Sequence, residues 1–388
     1  MNTVTEYLGR NARQYGIVGA LLLIVLLFQW MTGGRLLLPD NIISLIQQNA
    51  YVMILAIGMV MVIVAGHIDL SVGSLVAFIG GAAAIMMADW GWGWPAAILV
   101  SLVLGLLIGA WQGFWVAYLG IPAFIVTLAG MLIFRGLAIV IVGETKAGLP
   151  QEFIAIAGGE LPSVLGFAGA LDALTLLIGV LGMAGFVFSQ WRARRGLIKH
   201  DLAVEPMGIF LAKNVVVVVL IGILTYWIAL RATPIVLLVV GGLVLLFTFV
   251  LSRTVFGRHI YAVGGNRHAA ELSGVRTRLT DFMIFVNMGL LSAVAAIVTT
   301  SRAGAGVAAA GQLYELDAIA ACFIGGCAVR GGVGRISGAM IGALIMGVLN
   351  MGLSILAVDA AWQQTIKGLV LLLAVALDIV SKRRGAYA

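Results

Sequence analysis

Long apolar runs recur almost evenly from residue 16 to residue 380, separated by short connections. No other property of the chain restricts its fold as much. A soluble domain carries roughly 45–50% apolar and 25% charged residues. Here 62% of 388 residues are hydrophobic and 10% are charged, with a mean hydropathy of +1.13. A water-facing surface cannot absorb that surplus, whereas a bilayer requires it. A helix crossing the hydrocarbon needs about 20 apolar residues, and backbone groups in lipid must be satisfied within the segment, so such runs mean helices. Twelve segments are expected, near 16–31, 50–66, 71–88, 95–118, 123–142, 166–188, 214–230, 234–251, 280–300, 316–329, 337–356 and 362–380. The fold class is therefore all-α, a polytopic membrane protein of about 10 to 12 hydrophobic segments, some of them short or broken. No polar block is long enough for an independent domain, so residues 1–388 are expected to form one membrane domain. Gly16 to Met31 lacks a small-residue cleavage site and precedes many similar runs, which predicts an anchor and not a cleaved signal peptide.

A formal charge of +7 and a pI near 9.7 would also fit a nucleic-acid binder, but the placement of the charges argues against one. Arg10 and Arg13; Arg192, Arg194, Arg195, Lys199 and Lys213; Arg253, Arg258, Arg267, Arg276 and Arg278; Arg330 and Arg335; and Lys382, Arg383 and Arg384 fall on alternate connections and the two ends. The positive-inside rule assigns that side, and with it both termini, to the cytoplasm. The opposite stretch from Gly143 to Leu165 carries Glu144, Glu152 and Glu160 against the single Lys146. Cys322 and Cys327 lie in an apolar Gly-rich segment and read as small packing residues, and the four histidines have no metal-like spacing. Neither a metal site nor a cofactor is expected. Trp90, Trp92 and Trp94 cluster beside Pro95 as an interfacial aromatic belt.

Segments 50–66 and 316–329 are short, and each runs into a glycine-punctuated break. Ile63 to Leu75 aligned with Ile324 to Ile336 matches Ile, Val and Gly at equal offsets. Paired, Gly-interrupted segments point to broken helices lining a transport path, because freed backbone groups are tolerated only beside a cavity. Tight packing through small residues is the alternative. Ionisable groups inside membrane segments are costly and hence candidates for the path. These are Asp69, with Ser71, in the first break, Arg135, Asp317 and Lys367, joined by the polar Asn287 and Asn350. Asp69 could instead cap the following helix, Arg135 and Lys367 could snorkel to the outer interface, and the asparagines could bond between helices.

The connection at about 252–279 is too polar to insert and too patterned for a slack linker. Asn266 can cap the run Arg267-His-Ala-Ala-Glu-Leu and Gly274 can stop it. The result is a short cytoplasmic helix with Ala269, Ala270 and Leu272 available to a partner's groove.

Four ordered motifs carry a resemblance: Gly66-His-Ile-Asp-Leu-Ser-Val-Gly-Ser74; Ile121-Pro-Ala-Phe-Ile-Val-Thr-Leu-Ala-Gly-Met131 with Arg135-Gly136; Phe256-Gly-Arg-His-Ile-Tyr-Ala-Val-Gly-Gly-Asn266; and Tyr314-Glu-Leu-Asp-Ala-Ile-Ala-Ala321. Over nearly its whole length the chain resembles the sugar permeases of bacterial ABC importers, in the branch of ribose, xylose, galactose and arabinose permeases. The resemblance implies a homodimeric path in the inner membrane, ATP hydrolysis by a separate subunit, often with tandem nucleotide-binding domains, and a periplasmic sugar-binding protein. It implies that Gly257, Arg258, Tyr261, Gly264, Gly265, Asn266, Ala269, Ala270, Glu271, Ser273 and Gly274 form the segment that couples to the ATPase. An added hairpin at about 166–230 looks like the xylose-type or multiple-monosaccharide members. Cys327 and Arg330 depart from the small and hydroxyl residues usual in the family, so no substrate contact is carried over there. No stretch ends in the Gly-Lys-Ser/Thr of a Walker A loop, so the chain is expected to be a transporter subunit and not the ATPase. The competing readings are a permease for branched-chain amino acids or nucleosides, or an ion-coupled carrier using Asp69 and Asp317.

Overall fold

The computed structural model describes residues 12–202 and 204–385. Among them are fifteen helices and four two-residue strands. The helices are α1 (Ala12–Met31), α2 (Pro39–Val64), α3 (Val72–Ala88), α4 (Trp94–Ala117), α5 (Ala123–Val142), α6 (Gln151–Gly158), α7 (Ala173–Lys199), α8 (Met207–Ala229), α9 (Ile235–Arg253), α10 (Val255–Gly265), α11 (Arg267–Leu272), α12 (Thr277–Ala303), α13 (Tyr314–Ile324), α14 (Ile336–Ile355) and α15 (Ala360–Gly385). Eight of those described are long and apolar enough to cross a membrane, and α3 and Gly16–Met31 are shorter apolar helices. The expected multi-pass membrane protein is what the chain forms. Arg10 lies outside the described residues, as do the side chains of Arg13, Lys382, Arg383 and Arg384.

Six of the seven prolines stand at helix starts, at Pro39, Pro95, Pro122, Pro150, Pro206 and Pro234. Proline fits there because the first helical amides have no intrahelical partner and its φ is already helical. The charged positions mark the ends of the bundle. At one end Asp89 pairs with Lys146 at 2.8 Å, Arg231 with Asp40 at 2.8 Å, and Lys146–Ala147 pairs with Ala305–Gly306 as an antiparallel ladder. At the other, Gly332 N donates to Val64 O at 2.8 Å beside α10. This second, basic end is the cytoplasmic one by the positive-inside rule.

Helix α2 is the axis of the packing, in contact with α9, α12, α13 and α14, while α12 also packs on α3, α4 and α6. Lipid tails are as apolar as leucine, so these helices gain by close van der Waals approach and not by escaping water. Small residues permit that approach. Gly105, Gly109 and Gly113 form a stripe on α4 whose absent side chains leave room for the backbone of α12 at Gly289, Phe285 and Phe282.

Both expected breaks are present. After α2, Gly66 takes φ +88° and His67 N donates to Val62 O at 2.9 Å; after α13, Gly326 takes φ +92° and Cys327 N donates to Cys322 O at 2.9 Å. This is the glycine-dependent helix end in which an amide bonds back five residues. The true correspondence is Gly66 with Gly326, one residue from the alignment of Gly66 with Cys327. Helix α13 is short as expected, at 11 residues, but α2 is not. It begins at Pro39 and runs 26 residues through Gln47, Gln48 and Asn49, because that polar turn is accommodated among neighbouring elements, with Asn49 buried. In the hairpin, Arg192, Arg194, Arg195 and Lys199 belong to the last turns of α7 and not to a loop. Arg194 Nη1 donates to Glu205 O at 2.6 Å and Lys213 meets Glu205 at 2.7 Å, which closes the end of the hairpin.

Candidate functional site

The cytoplasmic connection is folded into two helices. Thr254 caps α10, its Oγ1 accepting from Gly257 N at 3.2 Å, and Phe256, Ile260 and Val263 give the i, i+4, i+7 spacing of a buried face. Asn266 ends α10 and begins α11, its Oδ1 accepting from Ala269 N at 3.0 Å, and Gly274 stops the run at φ +81°. The capped run Arg267–Leu272 is therefore as expected. Helix α10 was not legible as a helix, although Thr254 followed by that spacing is the signal for it.

The buried side of α10 rests on both helix breaks at once. Gly264 faces Val64 O and Gly332 N so closely that no Cβ would fit. The Tyr261 hydroxyl donates to Gly334 O at 2.7 Å, and burial raises its pKa above the ordinary 10, which keeps the donor protonated. From α11, Arg267 Nη1 reaches the buried Asp281 of α12 at 2.7 Å. His67, one residue past the first break, stands 3.1 Å from the other oxygen of Asp281, though not aligned for a hydrogen bond. Glu271 Oε1 accepts from Thr277 Oγ1 at 2.8 Å. The residues assigned to coupling thus divide into two sets. Gly257, Tyr261, Gly264 and Ala270 face inward, whereas Arg258, Gly265, Asn266, Ala269, Glu271, Ser273 and Gly274 are exposed. Ala270 corrects the expectation of a free docking side chain: it is 5% exposed, while Leu272 is 78% exposed.

Each end of the bundle has a cavity. The cytoplasmic one, about 460 Å³, is lined by Gly66, His67, Ile121, Phe124, Arg267 and Asp281. The outer one, about 290 Å³, lies between α2, α12 and the approach to α13 and is lined in part by Gln47, Gln48, Tyr51, Thr299, Arg302 and Tyr314.

None of the seven path candidates lines either cavity; six of them join neighbouring elements, and Asn287 bonds back within its own helix. Asp69 Oδ1 accepts from Ser71 N at 2.8 Å and Ser71 Oγ at 2.7 Å, and Ser71 Oγ accepts from Gln112 Nε2 at 2.8 Å, tying the first break to α4. The cap at Asp69 closes the turn before α3; the N-cap position itself is Ser71, which makes no such bond. Arg135 does not snorkel: its Nη1 donates to Ala308 O at 3.0 Å and Ala310 O at 2.7 Å. Lys367 instead pairs with the buried Asp317 at 3.3 Å, and Asp317 also accepts from the Tyr51 hydroxyl at 2.7 Å. Asn350 Nδ2 donates to Asn49 Oδ1 at 3.3 Å, and Asn287 bonds back to Met283 O of its own helix at 2.7 Å. Among the described residues no three His, Cys, Asp or Glu side chains are grouped to hold a metal ion, and both cysteines are free and buried. Tyr51 and Gln112 were not singled out from sequence. Their contacts are long-range, and only the scarcity of polar residues in apolar runs marks them.

A bundle of this kind, with eight described helices long and apolar enough to cross a membrane and two short helices packed at its basic end, defines a multi-pass membrane protein. Residues 41–375 match the family model described as branched-chain amino acid transport system / permease component, and the chain belongs to that permease family. It is 43% identical to the xylose transport system permease protein XylH of Escherichia coli (strain K12) over 378 residues, covering 96% of this chain and 93% of the relative. The Haemophilus influenzae XylH (strain ATCC 51907 / DSM 11121 / KW20 / Rd) is 40% identical, covering 96% and 98%. The ribose import permease protein RbsC of Escherichia coli (strain K12) is 33% identical over 339 residues, covering 87% and 85%. No solved structure matches.

Proposed function

We propose that this chain is the membrane permease subunit of an ATP-driven ABC importer of monosaccharides, xylose or several related aldoses, in the bacterial inner membrane. Two copies form the path, a separate ATPase with tandem nucleotide-binding domains supplies the energy, and a periplasmic binding protein delivers the sugar. Residues 1–388 act as one permease domain, with an inserted hairpin at about 166–230 and a coupling segment at about 252–279. The observation that carries the energy-coupled reading is the seating of α10 on both helix breaks, at Val64 and at Gly332 to Gly334, with α11 tied to α12 through Arg267 and Asp281. Force on the exposed side of this pair has a short mechanical route into the bundle. The sugar class rests on the near full-length similarity to XylH.

Reconstitution in proteoliposomes with the partner ATPase and binding protein tests the reading. Uptake of labelled xylose that requires internal ATP is expected. Uptake of leucine in place of aldoses would favour the amino-acid reading named in the family description, and uptake driven by an ion gradient without any ATPase would replace the energy source.

A further inference from the structure

We infer that the outer cavity is a transit subsite for a small polyhydroxylated ligand, a single aldose, with Arg302 as its principal hydrogen-bond donor; this rests on the import reading above. Its volume of about 290 Å³ falls at the lower edge of the roughly 300–1,000 Å³ of ordinary ligand pockets, which admits a lone sugar ring and little more. Its lining mixes two chemistries that a sugar presents together. Gln47, Gln48 and Arg302 offer hydrogen bonds to hydroxyls, and the rings of Tyr51 and Tyr314 offer flat apolar surface to C–H faces.

The aromatic wall is fixed in place. The rings stack at a centroid distance of 3.6 Å and an interplanar angle of 16°, and the Tyr51 hydroxyl is held by the Asp317–Lys367 pair. Val307, Ala309 and Ala310 complete the wall with Val298 and Ala303, and their stretch is drawn towards α5 by the two bonds from Arg135, which is therefore a positioning residue for the subsite.

Ala309 lines the cavity and is exposed, so Ala309→Trp fills the space without crowding the core. The test is saturation-transfer NMR between D-xylose and the full chain in nanodiscs. Transfer is expected for the wild type and for Ala309→Ser, about tenfold weaker binding for Arg302→Gln on loss of a charge-assisted bond, and background signal for Ala309→Trp. Equal transfer across the four proteins overturns the subsite, and so does loss in Ala309→Ser as well as Ala309→Trp. Uptake by the complete importer separates the two claims. Xylose import unaffected by Ala309→Trp overturns the subsite and leaves the import reading standing, whereas a wild-type importer that moves no aldose sinks the import reading whatever the NMR shows.

Discussion

Helices α2 and α7 are equally apolar, with a mean hydropathy of 1.8 over their best membrane-length stretches, yet 83% of that stretch is buried in α2 and 11% in α7. Hydropathy reports that a segment crosses the bilayer and is blind to its place in the fold. What separates the two is the neighbours. Helix α2 is enclosed by α9, α12, α13 and α14 and ends at the break that α10 covers, whereas α7 packs chiefly on α8 and presents Val180, Leu181, Val187 and Phe188 outward. One region is enclosed by its neighbours and the other presents its apolar side chains outward.

Substitutions graded from the inner region to the outer test that division. Gly109→Ala at the α4–α12 crossing places a Cβ against Phe285 O and Val286 Cα, backbone atoms that cannot turn aside. Destabilisation of about 1–3 kcal/mol is expected, read as a lower unfolding temperature in detergent. Arg267→Ala leaves Asp281 buried without its guanidinium partner. Because Arg267 is 44% exposed, the cost is on the order of 1–2 kcal/mol, below the 3–5 of a fully buried pair, and stimulation of the partner ATPase falls with it. Asn266→Ala removes the cap of α11 at about 1 kcal/mol, and faster amide exchange confined to residues 267–272 is the signature. Leu181→Ala on the lipid face, where the side chain is 62% exposed, changes stability by about 0.5 kcal/mol or less. A loss there equal to that at Gly109 would erase the contrast between the regions.

The same contrast explains what the sequence made legible. Crossing segments, the Asn266 cap, the Gly274 stop and the two breaks are local signals, written in runs of residues that fold as they read. Helix α10 escaped because its apolar positions alternate with Arg258, His259 and several glycines, and its buried face exists only against α9, α12 and the breaks after α2 and α13. The first turns of α2 were missed because Gln47, Gln48 and Asn49 look like a boundary, and only their enclosure by distant elements makes helix the better state. The roles of Arg135 and Lys367 depend on partners more than forty residues away, at Ala308, Ala310 and Asp317, which no local pattern specifies.

The claim that α10 transmits force to the helix breaks is open to one direct measurement, because two adjacent glycines differ in the property that matters. A Cβ at Gly264 would collide with Val64 O and approach Gly332 N at 2.8 Å, whereas a Cβ at Gly265 meets nothing within 4 Å. The measurement is sugar imported per ATP hydrolysed in proteoliposomes for Gly264→Ala and Gly265→Ala. Gly264→Ala is expected to lose most of its import while ATP hydrolysis continues, and Gly265→Ala to stay near wild type. Equal coupling in the two variants would contradict that claim.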